Sequence, residues 1–362
     1  MKIMKINGYE NLNFVKWAGG KGHLINQIEQ YLPKKIDRYF EPFIGGGALF
    51  FYIMQKYKPQ FAFISDINQN LITTYEVIRD DVEVLIQQLY IHKENHRKDF
   101  EKFGNKKTIK IHELNKKAKK IKLYLEKCGE KRQKAASDLK AEPPQSSADT
   151  HKAQIELELI QILNELKDIK NKKRDEDKQR YYYIQREIYN KNKTLSKVEI
   201  ASYFIYLNKA GFNGMYRENL QGHLNIPKGD LKEINIDEKK LRKASKILNQ
   251  NVQIRCAPYN EIDALAKEND FIYFDPPYAP LKKKSFTTYT KNPFLEEEQK
   301  QLAFFCKKLN IRNVKFMLSN HNTDLIRQLF SSFHIKVVSA KRTINSDATG
   351  RGNVDEVLVI NY

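Results

Sequence analysis

Strand-like and helix-like segments alternate twice along this chain, and that alternation limits its fold more than any other feature. Residues 39–80 run through "YFEPFI", a glycine cluster, "GALFFYIMQKY", "QFAFISDIN" and "NLITTYEVI". Short apolar runs followed by helical patterns pair as parallel strands joined by crossover helices. The rhythm resumes near residue 252 with "VQIRC", "FIYFD", "EEEQKQLAFFCKKL", "VKFMLSN", "TDLIRQLF", "HIKVVSA" and "DEVLVINY". The two blocks are expected to form one α/β sheet interrupted by a long insertion.

The insertion has its own periodicity. Ile111, Leu114, Ala118, Ile121, Leu125 and Cys128 form one apolar series, and Ile155, Leu159, Ile162, Leu166 and Ile169 form another. Both alternate steps of three and four, the spacing of a heptad seam. "AEPPQSSADT" between them breaks any helix, so two antiparallel helices zipped along those seams are expected. Residues 105–180 hold 21 Lys and Arg against 13 Asp and Glu. A solvated structural arm accounts for such a charge run, and a surface that grips DNA or a protein is the alternative.

At 362 residues and 41% hydrophobic the chain can bury a sizeable core, and its length allows two or three domains. No apolar run approaches the roughly 18–20 residues of a membrane span. The start, "MKIMKINGYENLNF", lacks a signal peptide's apolar core. Cys128, Cys256 and Cys306 stand far apart without CxxC spacing, which argues against a zinc site or a disulfide framework. His23, His223 and His321 are scattered, so no metal is expected. A cytoplasmic protein is the expectation. The formal charge of +20 favours a polyanionic partner, of which nucleic acid is the commonest.

One strand ends in an unusual way. "FIYF", residues 271–274, stops at Asp275-Pro276-Pro277-Tyr278. Proline fixes φ and has no backbone donor, so two in succession forbid both helix and central strand. A rigid turn at a strand's carboxyl end is where open α/β sheets hold their ligands. Ionised Asp275 and the Pro276 carbonyl can accept the two hydrogens of an exocyclic amine, and Tyr278 offers a flat face for a base. Stacking of that kind is worth roughly 1–3 kcal/mol per base. A capped strand end with a buried tyrosine is the plainer alternative.

Two other stretches point to a ligand. "EPFIGGGALFF", residues 41–51, sets three glycines between a strand and a helix, although the GxGxxG spacing of a dinucleotide site is incomplete. Asp66 ends the next strand, where a carboxylate can accept from ribose hydroxyls. A tight turn with a capping aspartate would look the same. In "VKWAGGKGHL" the single tryptophan, Trp17, stands beside Gly19 and between Lys16 and Lys21. It either lies along a ligand or anchors the N-terminal segment to the core.

In order and spacing, "KWAGGK", "EPFIGGGALFF", "SDIN", "YLNKAGFNGMYREN", "CAPYNEI", "FDPPYAPL", "SFTTY" and "LSNHN" resemble the Dam family of DNA adenine-N6 methyltransferases. The resemblance spans nearly the whole chain except about 105–180, in the motif order of the family's α group. It implies a Rossmann-like methyltransferase sheet with an inserted, mainly helical DNA-recognition domain, to which this chain adds its heptad hairpin. The implied division gives residues 1–72 and 251–362 to the catalytic domain and 73–250 to recognition.

The implied cofactor is S-adenosylmethionine, with Trp17, Gly19 and Lys21 along it. The turn of Glu41, Pro42, Phe43, Gly45 and Gly47 would meet its methionine moiety, Asp66 its ribose and Tyr259 its adenine. Asp275, Pro276, Pro277 and Tyr278 would hold a flipped adenine. Arg217 matches the guanine reader, and Lys16 a base or phosphate contact. Phe212 and Asn213 match the filler of the vacated gap, Met215 and Pro227 apolar contacts to thymine. Lys341, Arg342 and Arg351 are candidate phosphate contacts. The expected partner is double-stranded DNA, the expected site GATC or a longer sequence containing GAT, and a companion restriction endonuclease is possible. RNA adenine methylation, cytosine-N4 methylation and a silent DNA-binding protein are the competing readings.

Overall fold

The computed structural model describes residues 5–6, 8–17, 19–103, 106–138, 147–177, 180–280, 294–341 and 353–362. Two compact units account for the chain: Met1–Lys93 with Gln185–Tyr362, and Glu94–Ile184.

The first unit opens with a two-residue ribbon, β1 (Lys5–Ile6) and β2 (Tyr9–Glu10), and a single turn, α1 (Ile25–Ile28). Next come β3 (Arg38–Glu41), α2 (Ala48–Lys56), β4 (Phe61–Asp66), α3 (Gln69–Asp80) and the start of α4 (Val82–Phe103). The second unit follows, with α5 (Lys106–Asp138) and α6 (Ser147–Asp177), and α7 (Tyr181–Lys191) leads out of it. The first unit then resumes with α8 (Lys197–Ala210), α9 (Glu238–Leu248), β5 (Val252–Cys256), β6 (Phe271–Phe274) and α10 (Glu296–Ile311). It ends with β7 (Lys315–His321), α11 (Asp324–Leu329), β8 (His334–Lys341) and β9 (Asn353–Ile360).

Seven strands form one sheet in the order β5-β4-β3-β6-β7-β9-β8. β5, β4, β3, β6 and β7 pair in parallel, as the alternation predicts. β9 runs antiparallel to both neighbours, which the alternation of strands and helices does not announce. It inserts between β7 and β8, so the last two strands pair with each other without a crossover helix, which an antiparallel pair does not need. All four residues of β6 are buried, because a central strand is covered on both faces. Phe40, Phe63, Ile272, Phe274, Phe316 and Leu318 from the strands pack with Leu302, Phe305 and Leu309 of α10.

Local signals set the helix starts. Asn68 caps α3 by accepting from the Leu71 N–H at 3.0 Å. Ser196 and Glu199 form a reciprocal capping box at the start of α8.

In the second unit Ala118 of α5 is buried against Ile162 and Leu166 of α6, with Ile111, Leu114, Ile121 and Leu159 alongside. Lys110 pairs with Glu165 at 2.7 Å and Lys117 with Glu158 at 2.8 Å. Moving seven residues forward on one helix moves seven back on the other, so α5 and α6 are antiparallel. The sequence predicts the break at residues 141–150; residues 139–146 lie outside the described residues, and 147–150 are already helical as the first turn of α6, a correction to that expectation. Among the described residues no helix is long and apolar enough to cross a membrane.

Candidate active site

β3 and β6 lie side by side where the strand order reverses: from β3 the chain moves out to β4 and β5, and from β6 to β7 on the other side. A crevice opens beyond the carboxyl ends at such a switch point, and ligands of open α/β sheets bind there. The glycine turn leaves β3 and the proline turn leaves β6, so both sequence motifs meet in this place.

The glycine turn is folded around its own neighbours. Gly45 and Gly47 have φ of 45° and 69°, left-handed values that favour glycine. A Cβ on Gly45 would lie 2.6 Å from Trp17 Cδ1, and one on Gly47 would lie 2.5 Å from the Tyr75 hydroxyl. The Gly45 N–H donates to Asp66 Oδ2 at 3.2 Å, and the Asn68 N–H donates to Asp66 Oδ1 at 3.0 Å. Burial raises the Asp66 pKa, and these backbone donors pull it back. Tyr75 donates to the Gly45 carbonyl at 3.0 Å and closes the turn from below. Pro42 is buried within it.

This donor set fits a nucleoside carrying a cationic tail. Asp66 puts a carboxylate at the end of β4, within reach of the glycine turn. Glu41 is buried and accepts from the Tyr39 hydroxyl at 2.6 Å. Burial raises its pKa well above the usual carboxylate value, while the Tyr39 hydroxyl and the Lys21 ammonium pull it down. Phe43 and Tyr259 stack at 5.6 Å and 24°, both partly buried against the core. Asn13, whose Nδ2 lies 3.6 Å from a Cβ built on Gly46, has a buried Oδ1 with no donor.

The proline turn is electrostatically prepared. Asp275 Oδ1 pairs with Lys21 Nζ at 2.7 Å, and the lysine side chain is only 3% exposed. Burial pushes the Asp275 carboxyl up to about 6, while the Lys21 ammonium pulls it down. Lys21 also donates to the Gly19 carbonyl and sits 4.6 Å from the Tyr278 ring centroid. The Tyr278 hydroxyl donates to Glu356 Oε2 at 2.7 Å, and His321 meets the ring edge-on at 4.8 Å. Pro276 is buried and Pro277 exposed. Lys21, which the resemblance sets along the cofactor, thus stands against Asp275 of the proline turn.

Trp17 bridges two of the motifs. It lies against the glycine turn and stacks on Tyr216 at 5.1 Å and on Phe204 at 6.1 Å. Buried Asn208 of α8 accepts from the Lys16 N–H and donates to the carbonyls of Lys16 and Gly214, each at 3.0 Å. The N-terminal segment and the loop after α8 are thereby clipped together. On that loop Phe212 is 46% exposed, and Asn213 has a φ of 57°. The Phe212 N–H donates to the Pro227 carbonyl at 2.9 Å, closing the base of the loop. Arg217 Nε donates to Asn225 Oδ1 at 2.8 Å, which holds the guanidinium by one nitrogen. Met215 is half-buried and Pro227 exposed. Lys16 is exposed beside them.

Lys341 ends β8 and its side chain is not described; Arg342 and Arg351 lie outside the described residues. The sequence reading missed Asn208, Asn225, Gln299, Asn320 and Glu356, which hold the loops but carry no local signature. Asn320 lies within "LSNHN", a segment that signals position without role.

The comparisons with known proteins agree with this geometry. The family model described as D12 class N6 adenine-specific DNA methyltransferase matches residues 17–141 and 145–344. The chain is 35% identical to the type II methyltransferase M.MjaIII of Methanocaldococcus jannaschii, over 96% of this chain and 98% of that one. It is 30% identical to the type II methyltransferase M1.LlaDCHI of Lactococcus lactis subsp. cremoris, over 100% and 99% of the two chains. With the DNA adenine methylase of Escherichia coli K12 the identity is 27%, over 97% and 95%.

Proposed function

The chain belongs to the D12 class of N6 adenine-specific DNA methyltransferases, and from that premise we propose that it modifies adenine in duplex GATC by everting the base. The methyl donor in this reading is S-adenosylmethionine, held by Glu41, Pro42, Phe43, Gly45, Gly47, Asp66 and Tyr259 with Trp17, Gly19 and Lys21. When bound, it supplies an electrophilic methyl group. What carries the reading is the pairing of Asp275 with the buried Lys21 ammonium at 2.7 Å, under the Tyr278 ring. A place that holds one nitrogen cation between a carboxylate and an aromatic face suits another nitrogen that becomes cationic as it reacts.

A base inside a duplex hides its amine, so extrusion costs a few kcal/mol. Phe212 fills the gap and Tyr278 stacks the everted base, which together offset that cost. Asp275 and the Pro276 carbonyl accept the two N6 hydrogens, turn the nitrogen lone pair toward the methyl and stabilise the developing positive charge. Arg217 reads guanine at O6 and N7, and Met215 and Pro227 touch the thymine methyl. Lys16, Lys341, Arg342 and Arg351 contact bases or phosphates. In this reading residues 73–250 form the recognition domain, and α5 with α6 form a heptad hairpin inserted in it, a solvated arm. The protein works in the cytoplasm. The relatives' description as type II methyltransferases supports a companion restriction endonuclease.

The test is to incubate purified protein with labelled donor and duplexes containing or lacking GATC, with single strands beside them. Label on adenine N6 of duplex GATC is expected; no label on adenine in any duplex would sink the reading. Arg217→Ala should lower the preference for GATC over a site with its guanine replaced by about 2 kcal/mol, roughly thirtyfold in kcat/KM. Equal loss at both sites would count against a guanine contact.

The pH profile follows from Asp275. With a carboxyl pKa of about 6, the charged form is present above that pH and lost below it. Single-turnover rates should be level above about pH 7 and fall about tenfold per unit below about pH 6. A profile flat down to pH 5 would contradict a role for the carboxylate.

A further inference from the structure

The proline turn cannot hold itself in place. Pro276 and Pro277 lack an N–H, and among the described residues no backbone–backbone hydrogen bond outside the strands involves residues 275–280. Two side chains, neither on the turn, take over. Gln299, on the first turn of α10, donates from Nε2 to the Pro277 carbonyl at 2.9 Å. Asn320, near the end of β7, accepts the Ala279 N–H on Oδ1 at 3.0 Å. The two amides are joined, with Asn320 Nδ2 donating to Gln299 Oε1 at 3.0 Å. Both residues are 0% exposed. His321 adds a contact from the same strand, its Nδ1 lying 2.7 Å from the Ala279 carbonyl.

The peptide groups on either side of Tyr278 are therefore fixed from behind, one by α10 and one by β7. A buried amide pair is costly unless every group is satisfied, and here each partner completes the other. Neither side chain faces the crevice mouth, and neither reaches the ion pair of Lys21 with Asp275. They act on the backbone that carries Asp275 and Tyr278.

We propose that Gln299 and Asn320 are positioning residues that set the catalytic turn, and through it the registry of the everted adenine against the transferred methyl. This rests on the base-eversion reading above. Misplacement of reacting groups by about 1 Å can cost on the order of a hundredfold in rate. Loss of one clamp bond should thus show in the chemical step, with little change in binding.

Two nearly isosteric variants make the test: Gln299→Met removes the donor to Pro277, and Asn320→Asp keeps the acceptor for Ala279 but removes the donor to Gln299. Single-turnover methylation is measured per folded enzyme, alongside dissociation constants for S-adenosylmethionine and for the duplex. A 2-aminopurine at the target position reports eversion. The expected result is a rate lower by about 10- to 100-fold, with both constants within about twofold of wild type and the fluorescence rise retained. The double variant should be no worse than the weaker single one, because the two side chains act as one unit. Wild-type rates in both folded variants would overturn the proposal, as would parallel loss of cofactor and duplex affinity. Wild-type protein inactive on all duplexes would instead overturn the function itself, so the two failures are separable.

Discussion

Asp275→Asn should lower the single-turnover rate by two to three orders of magnitude while binding of cofactor and duplex stays within about twofold. The substitution keeps shape and one acceptor oxygen but removes the charge. A preorganised group facing developing charge contributes about that much, roughly 3–4 kcal/mol. It also leaves Lys21, 3% exposed, as a buried ammonium without its counter-ion. Breaking a buried pair from one side is destabilising by several kcal/mol, so the single variant should lose stability as well. Asp275→Asn combined with Lys21→Met separates the effects: stability returns toward wild type, activity does not. Recovery of methylation in the double variant would mean that Asp275 serves only to neutralise Lys21. Wild-type turnover by Asp275→Asn alone would remove the mechanism.

How much of this could be read from the chain follows from how far apart the partners are. The parallel strands and the two turns were legible because their signals are local: "FIYF" is buried on all four residues, and two prolines after it must turn. Three glycines between strand and helix mark a special turn, and Gly45 and Gly47 have left-handed φ in it. The β9 position was not legible. Its residues read as a strand, but nothing in them says it enters between β7 and β8 against their direction. The clamp was invisible for the same reason. Asn208 and Lys16 are 192 residues apart, and Asn320 and Ala279 are 41 apart. A single Asn or Gln in an apolar run carries no period and no spacing. Lys21 is a further case: its motif was legible and its pairing with Asp275 was not, because the two lie far apart in the sequence.

Gly45→Ala is expected to damage the protein severely. Its φ of 45° is unfavourable for any residue with a Cβ, at about 1–2 kcal/mol. The added carbon would lie 2.6 Å from Trp17 Cδ1 and 2.9 Å from Nε1, where no real Cβ sits. Something must move, and the indole is rigid. Trp17 cannot retreat freely, since it stacks on Tyr216 at 5.1 Å and on Phe204 at 6.1 Å. Overpacking of this kind adds about 1–3 kcal/mol, so the total loss should be near 3 kcal/mol, readable as a lower urea midpoint. Because Tyr216 adjoins Arg217, the displaced ring should carry the disturbance into the loop proposed to read DNA. Cofactor affinity and GATC preference should therefore weaken together in this one variant. Gly45→Ala combined with Trp17→Ala should cost less than the sum of the two single changes, since the indole is what the added carbon strikes. If Gly45→Ala alone melts and binds like wild type, the tryptophan does not pack on the glycine turn, and the link from cofactor crevice to recognition loop fails with it.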